Sequence, residues 1–262
     1  MKLSISNIAW ENDKDQEMYQ YISEMGFDAI EIAPTRIFSE YPYEKLEEAR
    51  EFAKKLEEKY KLKISSMQSI WYGKEEKIFR SKDERENLIM YTKQAINFAH
   101  ALGCRNIVFG CPKNRNIKEK EDYNIAIDFF RTIGKYAEEH NVVFAIEPNP
   151  VIYGTNFINT TEEAFNIIKE IDCQAIKVNV DLGTIIENGE SLEVLQDNFS
   201  KINHIHISEP NLEIIQKRII HSELAKILQD NRYENYVSIE MKKCENLTQI
   251  KEVMKYIRGV FK

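Results

Sequence analysis

The sequence predicts an α/β protein of the (β/α)8 TIM barrel class, on three observations. Short runs of apolar and β-branched residues alternate with longer stretches of helical periodicity, and this alternation occurs eight times in 262 residues. Each repeat averages about 33 residues, which is the size of one strand–helix unit. No segment rich in Pro, Gly or Ser divides the chain, so residues 1–262 are predicted to form a single domain.

The eight predicted strands are short apolar runs that end in turn residues. They lie at residues 2–10, 28–34, 63–71, 105–112, 141–149, 174–183, 201–210 and 235–242. Eight parallel strands, each followed by a helix, close into a barrel. A doubly wound sheet is the alternative, but it usually carries a Gly-rich turn after its first strand, and NIAWEND has none.

The predicted helices follow the strands, and several have recognisable ends. They are expected at residues 15–25, 43–59, 82–102, 121–140, after 160, at 191–198, 221–230 and 247–258. Gly26 and Gly103 follow two of these helices, as expected for C-terminal caps. Thr160 and Glu163 have the spacing of a capping box.

Charge and the lack of targeting signals restrict the class of protein. The net charge is −7, whereas domains that bind nucleic acids by releasing counterions are usually basic, so no nucleic-acid partner is expected. No window has the length of a membrane span and no apolar leader is recognisable, so no membrane partner is expected. The four cysteines form no CxxC pair, which favours reduced thiols in a cytoplasmic protein.

Polar residues close the last four predicted strands. Glu147 ends the fifth strand, Asp181 the sixth and Glu240 the eighth, and His206 lies near the end of the seventh. The carboxyl ends of the strands carry the active site in TIM barrels, and neighbouring strands lie about 4.8 Å apart. We therefore expect three carboxylates and one imidazole around one small volume.

These four side chains predict a site for one divalent metal ion. Three close carboxylates repel one another unless protons or a cation compensate. Oxygen donors with one imidazole suit Mn²⁺, Mg²⁺, Co²⁺ or Zn²⁺ and leave positions open for substrate or water. A single acid at a strand end is more often solvated than a metal ligand, and His206 alone could be a hydrogen-bonded histidine of the barrel core. The prediction rests on all four residues together. His204 shares the strand face of His206 and is expected in the core, with contact to the site as the alternative.

The sequence also resembles a known superfamily over nearly its whole length. The motifs EPN, VDLG, HIHISEPN and SIEM, in this order, resemble those of the xylose isomerase-like TIM barrels. That superfamily includes sugar and sugar-phosphate isomerases and epimerases and also endonuclease IV-type nucleases. In its ketose 3-epimerase branch, a Glu, an Asp, a His and a Glu from strands five to eight bind the metal. By position, these correspond to Glu147, Asp181, His206 and Glu240.

The resemblance to the ketose 3-epimerases is incomplete around the metal. Thr184 stands where they carry a substrate-binding His, Leu212 where they carry an Arg and Tyr153 where they carry a second Glu. These differences argue against a free ketose as substrate more than against the chemistry. The nuclease branch needs further His and Glu ligands on the early strands, where Glu31 is the remaining candidate.

The expected function is a divalent-metal-dependent isomerase or epimerase acting on a sugar, sugar phosphate or related polyol. Its reaction would begin with removal of a proton next to a carbonyl, giving a metal-stabilised enediolate. Glu147 and Glu240, on opposite sides of the predicted site, are the candidate catalytic residues. Two bases would give an epimerase, and one base shuttling between adjacent carbons would give an isomerase. The alternatives are a metal-dependent phosphodiesterase of the endonuclease IV type and a non-catalytic sugar-binding barrel.

Several residues near the strand ends are candidates for substrate binding. Lys113 and Arg115, in the loop after strand four, would anchor an anionic group, or are solvated loop cations. Gln68 and Trp10 would line the pocket, although an aromatic ring there could instead plug the barrel. The remaining candidates are Glu209 and Lys242. Barrels of this kind often pair, so a homodimer is one expected assembly.

Overall fold

The computed structural model describes residues 1–120 and 122–262. In these residues eight parallel strands close into a barrel in chain order, and the first strand pairs with the eighth. The strands are β1 (Lys2–Ser6), β2 (Ala29–Ile32), β3 (Lys63–Met67), β4 (Asn106–Phe109), β5 (Val143–Ile146), β6 (Ile176–Asp181), β7 (Ile202–Ile207) and β8 (Tyr236–Ile239). The predicted (β/α)8 barrel is confirmed.

Nine α-helices occur in the described residues, and the longer ones each follow a strand. They are α1 (Asp15–Glu24), α2 (Pro34–Ile37), α3 (Leu46–Tyr60), α4 (Lys82–Ala101), α5 (Asp122–Glu139), α6 (Thr161–Ile171), α7 (Leu182–Asn188), α8 (Ile219–Asp230) and α9 (Leu247–Phe261). The predicted helix after the fourth strand starts at residue 121, and that residue lies outside the described ones. None of the described helices is both long and apolar enough to cross a membrane.

Helix α6 shows how the local sequence builds these units. The Thr160 hydroxyl accepts a hydrogen bond from the Glu163 backbone N–H, and the Glu163 carboxylate accepts one from the Thr160 N–H, so the predicted capping box is present. Phe165, Ile168 and Ile171 recur at helical spacing and are buried. Burial of each such side chain contributes roughly 1.5–3 kcal/mol, which fixes the helix against the barrel.

Helix α7 was not predicted. It begins directly after β6, whereas the prediction placed a helix only at 191–198, where the chain forms a 3-10 helix (Leu192–Lys201). Gly183 and the β-branched residues that follow it lower the helix propensity of this segment. Asp181 compensates, because its carboxylate accepts a hydrogen bond from the Thr184 N–H at 2.6 Å and caps the helix.

The strands are shorter than predicted, because the chain turns as soon as it leaves the barrel wall. Ser6 ends β1 and caps a 3-10 turn (Asn7–Ala9) that the prediction included in the strand. Inside the barrel, polar side chains occupy positions that are usually filled by Val, Ile and Leu. The buried polar residues that the strands contribute include Ser4, Ser6, Glu31, Asn179, His204 and Ser238.

Candidate metal and active site

The four predicted metal ligands come together at the carboxyl end of the barrel. Asp181 and His206 are register partners on β6 and β7, and backbone hydrogen bonds of 2.9 Å hold Glu147 to Phe109 and Glu240 to Ile207. One ligand atom from each of the four residues lies within 4.8 Å of the others. All four side chains are buried. The barrel register therefore places these residues where a single cation could contact them all.

The cluster lies at a pocket of about 190 Å³ whose lining includes all three carboxylates. Pockets for drug-sized ligands usually measure about 300–1,000 Å³, so this one is suited to a smaller molecule. Its other lining residues are Gln68, Ser69, Val108, Gly110, Cys111, Pro112, Asn149, Tyr153 and Leu212.

The His206 ring is oriented as a metal-binding imidazole would be. Its Nε2 makes an in-line hydrogen bond of 3.0 Å with Glu31 Oε2. Its Nδ1 lies 2.8 Å from Glu147 Oε1 and 3.1 Å from Glu240 Oε2, yet it has no hydrogen-bond partner because neither oxygen is in line with it. A buried nitrogen left unpaired between two carboxylates is satisfied by a cation bound between them. The residues present therefore fit a divalent metal.

Charge in the cluster supports the same fit. Burial, and then the charge of Glu147, raise the pKa of Asp181 to about 6. Burial raises the pKa of Glu240 to about 7, against the attraction of His206. His206 itself has a raised pKa, because Glu240 and Glu31 outweigh the effect of its burial. Without a metal, the cluster therefore holds protons near neutral pH, and a cation would take their place.

Glu31 orients His206 from below. Its carboxylate accepts from His206 Nε2 and, at 3.2 Å, from Gln68 Nε2. His204 Nε2 also lies 3.0 Å from Glu31 Oε2, so His204 contacts Glu31 and is not part of the four-residue cluster. A carboxylate behind a metal-binding histidine fixes its tautomer and raises its basicity. In the sequence analysis, Glu31 was a candidate only for a nuclease-type metal ligand. Its position as the single acid in the apolar strand AIEI indicated a buried carboxylate with a specific partner.

We expect Glu31→Gln to weaken binding of Mn²⁺ or Co²⁺ by about 10–100-fold. The amide oxygen can still accept from His206, but the negative charge that makes the imidazole a stronger ligand is lost. Calorimetric titration of the metal-free protein measures the change. Asp15→Asn is the matched control, because Asp15 bonds Trp10 and Arg36 rather than His206, and its metal affinity should stay at the wild-type value.

Two amides and a glycine position Glu147. Asn179 Nδ2 donates to Glu147 Oε1 at 2.6 Å, and Asn149 Nδ2 donates to Glu147 Oε2 at 3.1 Å. At Gly110, a Cβ atom would lie 2.7 Å from Glu147 Oε2, so only glycine lets the β4 loop approach this closely. None of these residues was predicted. Asn149 belongs to the EPN motif and Gly110 follows β4, but local sequence does not show that Gly110 and Asn179 meet Glu147 from neighbouring strand–helix units.

Two hydroxyls position Asp181. Ser208 Oγ donates to Asp181 Oδ2, and Thr184 Oγ1 lies 2.7 Å from Asp181 Oδ1. Thr184 is fully buried beneath the cluster. At the position where the ketose 3-epimerases have a substrate-binding His, this chain therefore has a threonine that holds the Asp181 carboxylate.

The structure does not support the predicted role of Arg115 as an anion anchor. The side chain is fully buried, and it is not among the pocket-lining residues. Its Nη2 donates to Asn149 Oδ1 at 2.9 Å, while its Nε and Nη1 have no partner in the described parts of the chain. Burial lowers its pKa to about 10. Arg115 thus reaches Glu147 only through Asn149, and it is also not the solvated loop cation of the alternative interpretation.

The second predicted anchor, Lys113, and the substrate-binding candidate Lys242 also lie off the pocket lining. Lys113 is exposed in a 3-10 turn (Pro112–Asn114), of which Pro112 is the residue that lines the pocket. Lys242 is half exposed and pairs with Glu213.

Trp10 and Glu209 are held by other partners. Trp10 Nε1 donates to Asp15 Oδ1 at 2.8 Å, and the ring lines a neighbouring cavity of about 630 Å³. Glu209 is buried, and its two oxygens accept from Arg218 Nε at 2.8 and 3.0 Å. Glu209 therefore orders the β7 loop and does not line the pocket.

Gln68, Tyr153 and Leu212 do line the pocket. Burial, and then the charge of Asp181, raise the pKa of Tyr153 to about 12, so its hydroxyl stays protonated. The Tyr153 oxygen accepts from the Asn211 N–H at 2.8 Å, which leaves its O–H free to donate to a ligand. Two of the three positions that differ from the ketose 3-epimerases thus form part of the pocket wall.

Residues 19–260 match the family described as xylose isomerase-like TIM barrel. An inosose dehydratase of Geobacillus thermodenitrificans (strain NG80-2) is 25% identical over 240 residues, covering 83% of this chain and 74% of that protein.

Two solved structures share the fold at low sequence identity. The 3-keto-D-glucoside 4-epimerase of E. coli superposes with a TM-score of 0.80 at 20% identity over 99% of each chain. The D-psicose 3-epimerase of Clostridium cellulolyticum H10, solved with D-tagatose, gives a TM-score of 0.79 at 19% identity over 100% of each chain.

Proposed function

The chain belongs to the xylose isomerase-like TIM barrel family, and from that premise we propose that it is a divalent-metal-dependent isomerase or epimerase of a sugar or related polyol. The observation that carries this proposal is the cluster of Glu147, Asp181, His206 and Glu240 at a small pocket. Such a cluster places two carboxylates beside the position of a bound carbonyl compound, as proton removal from a weak carbon acid requires.

A bound metal would supply Lewis-acid polarisation of the substrate carbonyl. The protein supplies the proton transfers. Glu147 and Glu240 both line the pocket, so one carboxylate takes the proton from the carbon next to the carbonyl and the other returns a proton. Return to the opposite face of the same carbon inverts it and makes the protein an epimerase. Return to the adjacent carbon exchanges aldose and ketose.

Neighbouring side chains keep these carboxylates oriented during the reaction. Asn179 and Asn149 together bond both oxygens of Glu147, which limits its rotation. Asp181, bonded by Ser208 and Thr184, is the carboxylate least free to move, and it is assigned to metal binding alone. Preorganisation of this kind lowers the cost of reaching the reactive geometry.

The pocket lining favours an uncharged substrate. None of the lining residues within the described chain is Lys or Arg, and the two predicted anion anchors lie elsewhere. Gln68 and Tyr153 offer neutral hydrogen bonds, while Leu212, Val108 and Pro112 present apolar surface. We therefore place keto sugars and keto polyols before sugar phosphates.

A dehydratase is the second candidate, on the observation that curated relatives over most of this chain are inosose dehydratases. The first step would be the same proton removal by one carboxylate. The electron pair of the C–H bond would then form a C=C bond as the C–O bond on the next carbon breaks. The other carboxyl would protonate the departing hydroxyl, so that water is released.

The test incubates the protein with Mn²⁺, Mg²⁺ or Co²⁺ in D₂O with a panel of ketoses, aldoses, inososes and their phosphates. Proton NMR reports solvent deuterium entering the substrate or an isomer. We expect incorporation of one deuterium into an epimer or isomer of an uncharged compound. Loss of water with appearance of an unsaturated or diketo product would select the dehydratase.

Metal content gives an independent control for this experiment. Elemental analysis should find one equivalent of divalent metal in the active protein, and chelation should stop the exchange. If no compound in the panel exchanges a carbon-bound proton while one metal per chain is present, the proposed proton-transfer chemistry is ruled out. A chain that binds no metal would indicate a non-catalytic barrel.

A further inference from the structure

A second cavity lies at the end of the barrel opposite the metal cluster, where the strands begin. Its volume is about 620 Å³. Its lining includes Lys2, Lys63 and Arg105 together with Ser65, Asn106 and His204. These residues lie at or near the amino ends of β1, β3 and β4, except His204, which lies on β7. Closure of the barrel therefore brings them together.

The three cations around this cavity are not neutralised by side chains. Lys2, Lys63 and Arg105 form no ion pair with a carboxylate in the described residues, and none of the lining residues there is acidic. The Lys2 ammonium makes a cation–π contact, with its Nζ 5.3 Å from the centre of the Tyr236 ring. The chain as a whole carries a net charge of −7, so three unpaired cations around one cavity do not follow from a basic composition.

Other positive charges lie at the same end of the barrel. Lys177 is near the start of β6, and Lys201 immediately precedes β7. The pKa of Lys201 is lowered by partial burial and then by the charges of Lys169 and Lys177. Asp28, the acid directly before β2 at this end, is paired with Lys262, so the unpaired lysines and Arg105 favour attraction of anions to the cavity.

The deeper wall of the cavity consists of buried polar groups. Asn106 Nδ2 donates to Ser66 Oγ at 2.9 Å, and Asn106 Oδ1 accepts from Asn203 Nδ2 at 2.7 Å. His204 also lines the cavity but is 1% exposed, and its Nε2 lies 3.0 Å from Glu31 Oε2 in the barrel interior. An apolar occupant would strip water from the charged side chains of Lys2, Lys63 and Arg105 without compensation, so the ligand must itself be polar.

We propose that this cavity binds a small oxyanion, either inorganic phosphate or the phosphate group of a metabolite, with Lys2, Lys63 and Arg105 as its charged contacts. Arg105 supplies a planar pair of donors and the two lysines supply point charges, a combination suited to a tetrahedral anion. The site is separate from the substrate pocket, and it does not depend on the reaction proposed for that pocket.

The test titrates inorganic phosphate into the metal-free full chain by calorimetry at fixed ionic strength. We expect binding at one site, with affinity at least about tenfold weaker in the Lys63→Glu, Arg105→Glu double variant. The Lys226→Glu, Lys255→Glu double variant is the matched control. It makes the same change in net charge on the outer faces of α8 and α9, and it should keep the wild-type affinity.

Histidine NMR locates the bound phosphate. Phosphate should shift the His204 resonances and leave those of His100, on the outer helix α4, unchanged. A tighter titration with ribose 5-phosphate than with inorganic phosphate would identify a metabolite as the source of the anion. Circular dichroism verifies folding, and Lys63→Gln with Arg105→Gln replaces the charge-reversal pair if that pair unfolds.

Three outcomes would overturn the proposal. The first is a wild-type protein that does not bind phosphate. The second is an equal loss of affinity in both charge-reversal variants, which would show that the loss comes from the change in net charge and not from a specific site. The third is a phosphate-induced shift confined to histidines other than His204.

Discussion

Glutamine at position 147 or 240 is expected to slow exchange of the substrate's carbon-bound proton by about 10²–10⁴-fold while the barrel stays folded. Glutamine keeps the shape of the side chain and one oxygen, but it cannot accept a proton from carbon or return one. Because the proposed mechanism assigns the two carboxylates to successive proton transfers, each single variant should be impaired. The measurement is deuterium incorporation by NMR, at a metal concentration that saturates each variant.

Saturating metal matters because both residues are also predicted ligands. Asp181→Asn is the matched control: it removes one charge from the same cluster, and asparagine can still cap α7 by accepting from Thr184. Asp181 has no assigned proton transfer, so this variant should bind metal more weakly but recover to within roughly tenfold of the wild-type rate once saturated. If Glu147→Gln or Glu240→Gln recovers to the same extent, that residue is a ligand only.

The four clustered residues could be predicted because two regular patterns coincide at each of them. Each lies at or near the end of a predicted strand, which gives its height along the barrel. Each also belongs to a successive repeat of about 33 residues, which gives its strand. Once the strands close in chain order, Glu147, Asp181, His206 and Glu240 must share one rim. No long-range contact had to be guessed.

Arg115 shows where such reasoning stops. The segment CPKNRN has the composition of an exposed loop, and its cations suggested a substrate anchor. Cys111 adopts a left-handed conformation with φ of 46°, a 3-10 turn follows, and the chain carries Arg115 inward against Asn149 and Phe109. Burial of a loop residue depends on the path of the loop, and hydrophobic periodicity carries no information about that path.

Glu31 illustrates a different limit. Strand alternation places it inside the barrel, but its role comes from His206, which is 175 positions away in the sequence. The same holds for Asn179 and Asn149, whose amides meet Glu147 across strand boundaries. Residues that orient the ligands are polar, buried and distant in sequence, so local patterns identify their position without identifying their partner.

Stability of the metal-free protein should depend on pH in a way that reports the charge conflict at Glu240. Its carboxyl has a pKa of about 7 in the folded state, against 4.5 for the unperturbed group, mainly because of burial. The folded state therefore holds this proton more tightly than the unfolded state. The stability that this tighter proton binding contributes is fully present below the unperturbed pKa of 4.5. It is lost as the pH rises through the folded-state pKa of about 7, because ionisation of the buried carboxyl costs the folded state free energy.

Glu240→Gln removes that loss, since glutamine does not ionise. In the presence of a chelator, the variant and the wild type should have similar free energies of unfolding near pH 5. At pH 8 the variant should be more stable by roughly 3 kcal/mol, which is the free energy that corresponds to the raised pKa. Urea unfolding at a series of pH values measures the difference. Glu223→Gln, on the exposed face of α8, should match the wild type throughout.

Addition of a divalent metal should reverse the order. The cation compensates the three carboxylates and stabilises the folded wild type in proportion to its occupancy, whereas the glutamine variant has lost one charged ligand and gains less. A crossing of the two stabilities on metal addition at pH 8 would therefore connect the charge conflict directly to metal binding. A metal-free Glu240→Gln protein that is less stable than the wild type at pH 8 would mean that His206 already compensates Glu240, and that the cluster is balanced without a cation.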